Sequence, residues 1–379
     1  MKPKLRFTEF NSDWNKTTLK NIAIINPKNE NIPDKFIYID LESVNKGILS
    51  QEKIISKSDA PSRAQRTVKK NDILFQTVRP YQQNNYFVKE IKDLSYVAST
   101  GYALIRTNEN PYFIYSILHK KDFLDKVIDR CTGTSFPAIS SNDLADININ
   151  IPDIQEQTKI SNFLSLIDKK IELQTKKIED LKLFKKGLHN RLFNEVDGDD
   201  YLLSDIAIFE NGKGHENIVD DNGEYVLINS KFISTEGSVI KKCSEQLTPL
   251  FKNDITMVMS DLPNGKALGK CYYINEDNKY SLNQRICKIQ VKNNKIVNSK
   301  YLFYLLNRNP YYLKFDDGVN QTNLKKDDIL NINLVLPSKE VQDKNSKILT
   351  IIDNLINKER DKLLNLNSLK KGLMQNMFV

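Results

Sequence analysis

One pattern in this chain is written twice, and it limits the possible folds more than any other feature. The stretch from Asp143 to Phe193 lies over Asp328 to Phe378 without a gap, at a constant offset of 185 residues (337 − 152). Pro152 falls on Pro337, Gln157 on Gln342 and Asp168 on Asp353. Lys185-Lys186-Gly187-Leu188 falls on Lys370-Lys371-Gly372-Leu373, and Phe193 on Phe378. Solenoid units span roughly 20 to 50 residues, so a repeat of this period reads as a duplicated module of globule plus helix.

Each copy opens with alternation. Ile147, Ile149 and Ile151 share one face, as do Ile332, Leu334 and Leu336, which predicts a short strand with one buried side. Pro152 and Pro337 end it, and no proline follows until the repeat is complete. The helical pattern beyond has a seven-residue register. Its seam runs through Ile160, Leu164, Ile167, Ile171, Gln174, Ile178, Leu181, Lys185, Leu188 and Leu192 in the first copy. In the second it runs through Asn345, Leu349, Ile352, Ile356, Glu359, Leu363, Leu366, Lys370, Leu373 and Met377. Steps of four and three make this a coiled-coil seam. A helix of about 40 residues is about 60 Å long and needs a partner for such a stripe, and the other copy is the obvious one. The polar seam residues Gln174, Glu359, Lys185 and Lys370 either fix the register or carry their stems out to solvent.

The remaining sequence forms two globules that are only faintly alike. Leu19–Ala23 resembles Leu203–Ala207, Lys70–Ile73 resembles Lys252–Ile255, and the apolar helix Tyr112–Leu118 resembles Tyr301–Asn307. Short β-type runs broken by turn residues, such as Phe36–Leu41, Ile73–Val78, Tyr225–Ile228 and Cys271–Ile274, predict a mixed α/β globule in each half. Alike helices suggest one shared scaffold, and unlike globules suggest two recognition tasks. With 40% hydrophobic residues there is enough for a core in each half. No apolar run is long enough to span a membrane, and the first residues lack a signal core, so a cytoplasmic location is expected. Cys131, Cys243, Cys271 and Cys287 have no metal or redox spacing and read as free thiols. The net charge of +8 favours a polyanionic partner, though a bias in base composition would also enrich lysine and asparagine.

Catalytic constellations are sparse. Three histidines, His119, His189 and His215, give little material for a triad or a metal site. Asn110-Pro111-Tyr112-Phe113 and Asn309-Pro310-Tyr311-Tyr312 faintly resemble a methyltransferase loop but lack its second proline, and they read as helix starts. Gly265–Cys271 is one residue short of a P-loop and has cysteine where magnesium needs a hydroxyl. It remains open as a glycine loop offering N–H groups to a phosphate, or as a plain turn. Asp72 with Glu90-Ile91-Lys92, and Asp254 with Asp277-Asn278-Lys279, give only a weak metal-nuclease pattern.

Recognition chemistry is richer. Arg63, Arg66, Gln76, Thr77, Arg79, Tyr81, Gln82, Gln83 and Asn84 concentrate side chains that take guanine or adenine bidentately, and Thr134 and Ser135 suit phosphate. The second globule offers Lys213, His215, Asn264, Lys266, Lys270, Asn283, Gln284, Arg285, Asn320 and Gln321. These are the candidate DNA-binding residues. No catalytic or metal residue is expected.

The order globule, long helix, globule, long helix resembles the specificity subunit of Type I restriction–modification systems, across essentially the whole chain. The paired segments Ile151–Leu188 and Leu336–Leu373 carry the resemblance most specifically. The loops Thr77–Tyr81, Gly133–Pro137 and Asn283–Arg285 add to it. The resemblance implies target-recognition domains at 1–150 and 195–335, spacer helices at 151–194 and 336–379, and an antiparallel coiled coil with a pseudo-twofold repeat. It implies that each globule reads half of a split site on double-stranded DNA, with the helices as a ruler. Two methyltransferase subunits would dock, bringing S-adenosylmethionine, and motor-nuclease subunits would bring ATP and magnesium chemistry. The chain itself would hold no cofactor. The alternatives are a coiled-coil scaffold whose globules bind proteins, which predicts no salt-sensitive DNA binding, and a self-contained metal-dependent nuclease.

Overall fold

The computed structural model describes residues 2–193 and 196–379. Met1, Asn194 and Glu195, where expected domain limits fall, lie outside the described residues. The fold is mixed α/β, with two β-rich globules and two long helices, Ile154–Phe193 and Lys339–Asn376. The chain divides into two compact units, Met1–Lys176 with Asp361–Val379, and Lys177–Arg360. Each unit therefore holds one globule and a piece of both long helices.

In the first unit, one four-stranded sheet has the order Lys53–Ser56, Lys35–Ile39, Tyr96–Ser99, Ala64–Val68, with Tyr96–Ser99 parallel to Lys35–Ile39. A second, antiparallel where registered, has the order Ala23–Ile25, Tyr102–Thr107, Ile73–Gln76, Tyr86–Phe87. The alternating strand before the helix spans Asn148–Ile151 and pairs with Asn15–Thr18. Ile147, Ile149 and Ile151 are buried as the alternation requires. They join Trp14, Phe113, Leu164, Ile167, Met377 and Phe378 in one core. Full burial of such a side chain is worth about 1.5–3 kcal/mol, which is what holds the helix segments to the globule.

The second unit repeats this plan. Its sheets run Ala207–Asn211, Ile286–Val291, Ile255–Val258, Cys271–Tyr273, and Lys242–Cys243, Tyr225–Ile228, Tyr280–Leu282, the last two strands being parallel. The strand Asn333–Leu336 pairs with Asp199–Leu202, and Ile332, Leu334 and Leu336 are buried.

The repeated glutamine explains why each globule is tied to its helix in the same way. Gln157 is buried, donates to the Pro152 carbonyl (2.9 Å) and accepts the Asn110 N–H (3.1 Å). Gln342 donates to the Pro337 carbonyl (2.9 Å) and accepts the Asn298 N–H (2.9 Å). Asn110 and Asn298 cap the helices Pro111–Ile117 and Ser299–Leu306. One side chain thus joins the strand end, the long helix and the globule's own helix.

The seam positions Leu164, Ile167, Ile178, Leu349, Ile352 and Ile356 are buried, and Ile171, Leu181, Leu188, Leu363, Leu366 and Leu373 are half-buried. The polar seam lysines do not reach out to solvent. In the first unit Lys370 pairs with Asp168 (2.6 Å), and in the second Lys185 pairs with Asp353 (2.5 Å). Lys177 pairs with the buried Glu359 (3.1 Å), and the Asn345 amide donates to the Leu192 carbonyl (3.2 Å). In the second unit, partner numbers therefore fall on one helix as they rise on the other. No helix among the described residues is long and apolar enough to cross a membrane.

Candidate nucleic-acid interface

In the first unit, the separate candidate segments meet through backbone hydrogen bonds. Thr100 N–H donates to the Arg63 carbonyl (2.9 Å), and Thr77 N–H donates to the Gly101 carbonyl (3.0 Å). Arg79 N–H then donates to Pro137 (2.7 Å), which brings the Thr134–Ser135 loop alongside. Arg79 and Gln83, both at left-handed φ (54° and 52°), bracket the short turn Pro80–Gln82. A non-glycine residue there is held against its preference by the hydrogen bonds that close the turn.

The side chains divide into two sets. Arg63, Tyr81, Gln82, Thr134 and Ser135 are exposed. The Arg79 guanidinium stacks on the exposed Phe136 ring, 4.3 Å from its centroid. Arg66 is half-buried, its Nε has no hydrogen-bond partner, and burial pulls its guanidinium down from the ordinary arginine value. A cation desolvated without a counter-charge costs free energy that an anion or a guanine edge would relieve. Gln76 and Thr77, in contrast, are turned inward. The Gln76 amide donates to the Val78 carbonyl and to Gln82 (both 2.8 Å) and accepts the Asn84 N–H (3.1 Å), and Thr77 donates to Gly101 (2.8 Å). These two shape the loop. The Asn84 amide oxygen takes the N–H of Lys46 (3.0 Å), which draws a lysine that no motif marks into the same neighbourhood.

The second unit gathers its candidates likewise. Lys213 bridges to Asn283, and Met259 N–H donates to the Arg285 carbonyl (3.1 Å). Gln321 donates to the Ser260 hydroxyl (2.7 Å), and Asn264 to the Gly318 carbonyl (3.1 Å). Lys213, Lys266, Gln284, Arg285 and Asn320 are exposed. Gln284 hydrogen-bonds Glu216 (2.5 Å), and Lys270 reaches the Ser234 carbonyl (3.0 Å), so both are partly engaged. His215 is buried, with its ring against the Lys213 carbonyl and the Ser281 hydroxyl (both 2.7 Å). Ser281 is also fully buried, so this serine–histidine contact is sealed from any substrate and braces the loop.

The structure decides two readings that the sequence left open. The glycine loop at 265–271 does not offer its N–H groups to a phosphate, because Asp261 Oδ2 accepts from Ala267 (2.6 Å) and Leu268 (3.1 Å). A Cβ at Gly265 would sit 2.1 Å from that oxygen, so glycine is needed for the wrap. The acid-x-lysine pattern also dissolves. Asp72 is buried in a bidentate pair with Arg106 (2.8 and 2.7 Å) and accepts the Lys69 N–H (2.7 Å), while Lys92 pairs with Glu52. Asp254 accepts the Phe251 N–H (2.8 Å) at the matching turn, and its carboxyl is pushed up by burial. Among the described residues, no group of His, Cys, Asp or Glu could hold a metal ion. The four cysteines are free.

The family model described as the Type I restriction modification DNA specificity domain matches residues 11–183 and 196–366. The Type I restriction enzyme HindI specificity subunit of Haemophilus influenzae is 29% identical over 199 residues, 49% of this chain. That alignment spans only 42% of the relative's own length. The MjaVIII specificity subunit of Methanocaldococcus jannaschii is 23% identical over 375 residues, covering 91% of this chain and 82% of that protein. Among solved structures, the S subunit from M. genitalium superposes with a TM-score of 0.65 at 17% identity, covering 100% of this chain and 99% of that one. A chain from a type I R-M system complex gives 0.59 at 18% identity, covering 98% of each. At such identities these two speak to the fold.

Proposed function

The chain belongs to the Type I restriction–modification DNA specificity family, and from that premise we propose that it is the sequence-specific DNA-binding subunit of such a complex. Residues 1–150 and 195–335 act as target-recognition domains, each reading one half of a split, asymmetric site. The long helices, Ile154–Phe193 and Lys339–Asn376, pair as an antiparallel coiled coil with pseudo-twofold symmetry and set the distance between the halves. The pairs Lys370–Asp168 and Lys185–Asp353, made by equivalent residues of the repeat, support that arrangement.

The observation that carries the reading is the convergence in each unit of arginine, lysine and amide side chains from loops far apart in sequence, on globules that differ while their helices agree. Lysine and arginine on phosphates give affinity that falls steeply with salt, and arginine and amides on base edges give sequence choice. The subunit reads DNA and leaves the chemistry to its partners. Two methyltransferase subunits supply S-adenosylmethionine and methylate adenine, and motor-nuclease subunits supply ATP- and magnesium-dependent cleavage. The exposed apolar residues Leu166 and Leu173 on one long helix, and Ile351 and Leu355 on the other, support docking of protein partners there.

The test is to co-express the chain with the methyltransferase subunit encoded nearest to it and to map adenine methylation by single-molecule sequencing. A split, asymmetric motif with a fixed gap is expected. Soluble, mutually bound proteins that add no methylation would overturn the reading in favour of a protein-binding scaffold.

A further inference from the structure

In the first unit, a cleft of about 460 Å³ opens between the Gln82–Gln83 loop, the helix Pro111–Ile117 and the last turns of the helix Lys339–Asn376. Lys46, Lys370 and Lys371 line it, and among the described residues no carboxylate does. Lys370 is held by Asp168. Lys46 and Lys371 are exposed and have no ion-pair partner among the described residues. The rest of the wall is aromatic and amide. The Tyr112 and Tyr115 rings lie 5.9 Å apart, His119 packs edge-on to Tyr115 at 4.4 Å, and Gln82, Gln83 and Asn367 add amides.

The internal repeat supplies a control. Lys182 matches Asn367, and Lys185-Lys186 match Lys370-Lys371, so the second unit carries the same basic helix end. Lys185 is held there by Asp353, as Lys370 is by Asp168. Glu236 pairs with Arg360 (2.5 Å) and Lys270 (3.6 Å), and Lys182 stands near enough to help hold that carboxyl below its ordinary range. In the first unit the matched residues Asn367, Lys370 and Lys371 line the cleft together with Lys46.

We infer that this cleft binds a phosphate ester, with Lys46 and Lys371 on the phosphate oxygens and the tyrosine and amide wall against the attached nucleoside. The phosphate belongs either to the backbone of bound DNA, an arm that rests on the proposed function, or to a free mononucleotide, an arm that does not.

The experiment compares the full chain, a Lys46→Gln/Lys371→Gln double variant and, as control, Lys186→Gln at the matched place in the second unit. All the altered side chains are exposed, and coincident melting curves verify folding. Each protein is titrated calorimetrically with AMP. Each is also titrated with a random-sequence duplex over a range of salt. If DNA supplies the phosphate, the double variant lowers the slope of log affinity against log salt by roughly 1–2, the control leaves it unchanged, and AMP gives no heat. If the ligand is a free nucleotide, AMP binds the unaltered chain and the control alike, the double variant binds it at least tenfold more weakly, and the salt slope stays put. Absence of AMP binding together with an unchanged slope overturns the inference. An equal loss in the control does so too, because it would report diffuse surface charge. A chain that binds no DNA at all sinks the proposed function but leaves the AMP titration to decide the cleft.

Discussion

Lys370 Nζ stands 2.6 Å from one oxygen of Asp168, and the other oxygen accepts the Tyr112 hydroxyl. The second unit builds the same triad from Lys185, Asp353 and Tyr304, with the tyrosine hydroxyl 2.8 Å from the carboxylate. Tyr112 and Tyr304 are not equivalent residues. They sit at the second and sixth positions of their helices, Pro111–Ile117 and Ser299–Leu306, so each globule found its own way to satisfy a repeated aspartate. A double-mutant cycle of Lys370→Ala and Asp168→Asn should give a coupling free energy of about 1 kcal/mol, near the upper end for a partly exposed pair. Chemical denaturation measures it. Strict additivity of the two substitutions would mean that the pair contributes only geometry.

The buried glutamines should matter more. Gln157→Ala leaves the Asn110 N–H and the Pro152 carbonyl without partners in a closed site, a loss of about 2–3 kcal/mol. The same substitution at Gln342 should cost a similar amount through Asn298 and Pro337. The sharper readout is local, because amide exchange at Asn110 and Asn298 should accelerate in the respective variant. Unchanged protection at those two amides would show that the glutamine is not what closes the junction.

The helices and the strands before them were legible because their information is periodic and local. Ile147, Ile149 and Ile151 alternate, and Leu164, Ile167 and Ile178 fall on the heptad, and all six are buried. The recognition loops are only partly legible. Sequence brings Arg63, Arg79 and Ser135 forward by residue type, but it carries no signal that Thr100, Gly101 and Pro137 stitch them together. Residue type misleads where a polar side chain is spent internally, as with Gln76 and His215. Lys46 went unmarked for the opposite reason. A lone lysine has no pattern until a neighbour such as Asn84 reaches it. The glycine loop failed as a phosphate cradle because Asp261, a few residues upstream, takes its N–H groups first.

His119 gives a pH dependence with a definite sign. Burial pushes its imidazole down to about 4, with Lys370 acting in the same direction and the Tyr115 carbonyl and Asp168 opposing. The folded value lies below the unfolded value near 6.5, so the unfolded chain binds the proton first. The contribution of His119 is complete above pH 6.5 and is lost as the pH falls towards 4. Carboxylates titrate in the same window, so the quantity to follow is the difference between the unaltered chain and His119→Gln. That difference should shrink or reverse between pH 7 and 4. A flat difference would show that the cleft hydrates the half-buried ring enough to keep its ordinary value.

The end of the repeat makes the strongest prediction about assembly. In the first unit Met377 and Phe378 are buried, and Phe378 packs on Trp14 (6.2 Å) and Phe113 (5.3 Å). In the second unit its counterpart Phe193 stacks on Tyr301 at 4.6 Å. A chain cut to residues 1–193 keeps Trp14 and Phe113 but loses Phe378, and its heptad seam loses the segment that covers it. Burying that surface again requires a second copy, whose Phe193 has the residue type and the place in the repeat to fill the gap. Residues 1–193 should therefore run as a dimer in light scattering, and Phe193→Ala should shift them towards monomer. With the methyltransferase subunit, the dimer should direct methylation to a site symmetric in one half-sequence. A stable, folded monomer would show that the helix ends are not interchangeable, and the duplication would then be a record of ancestry without a present structural equivalence.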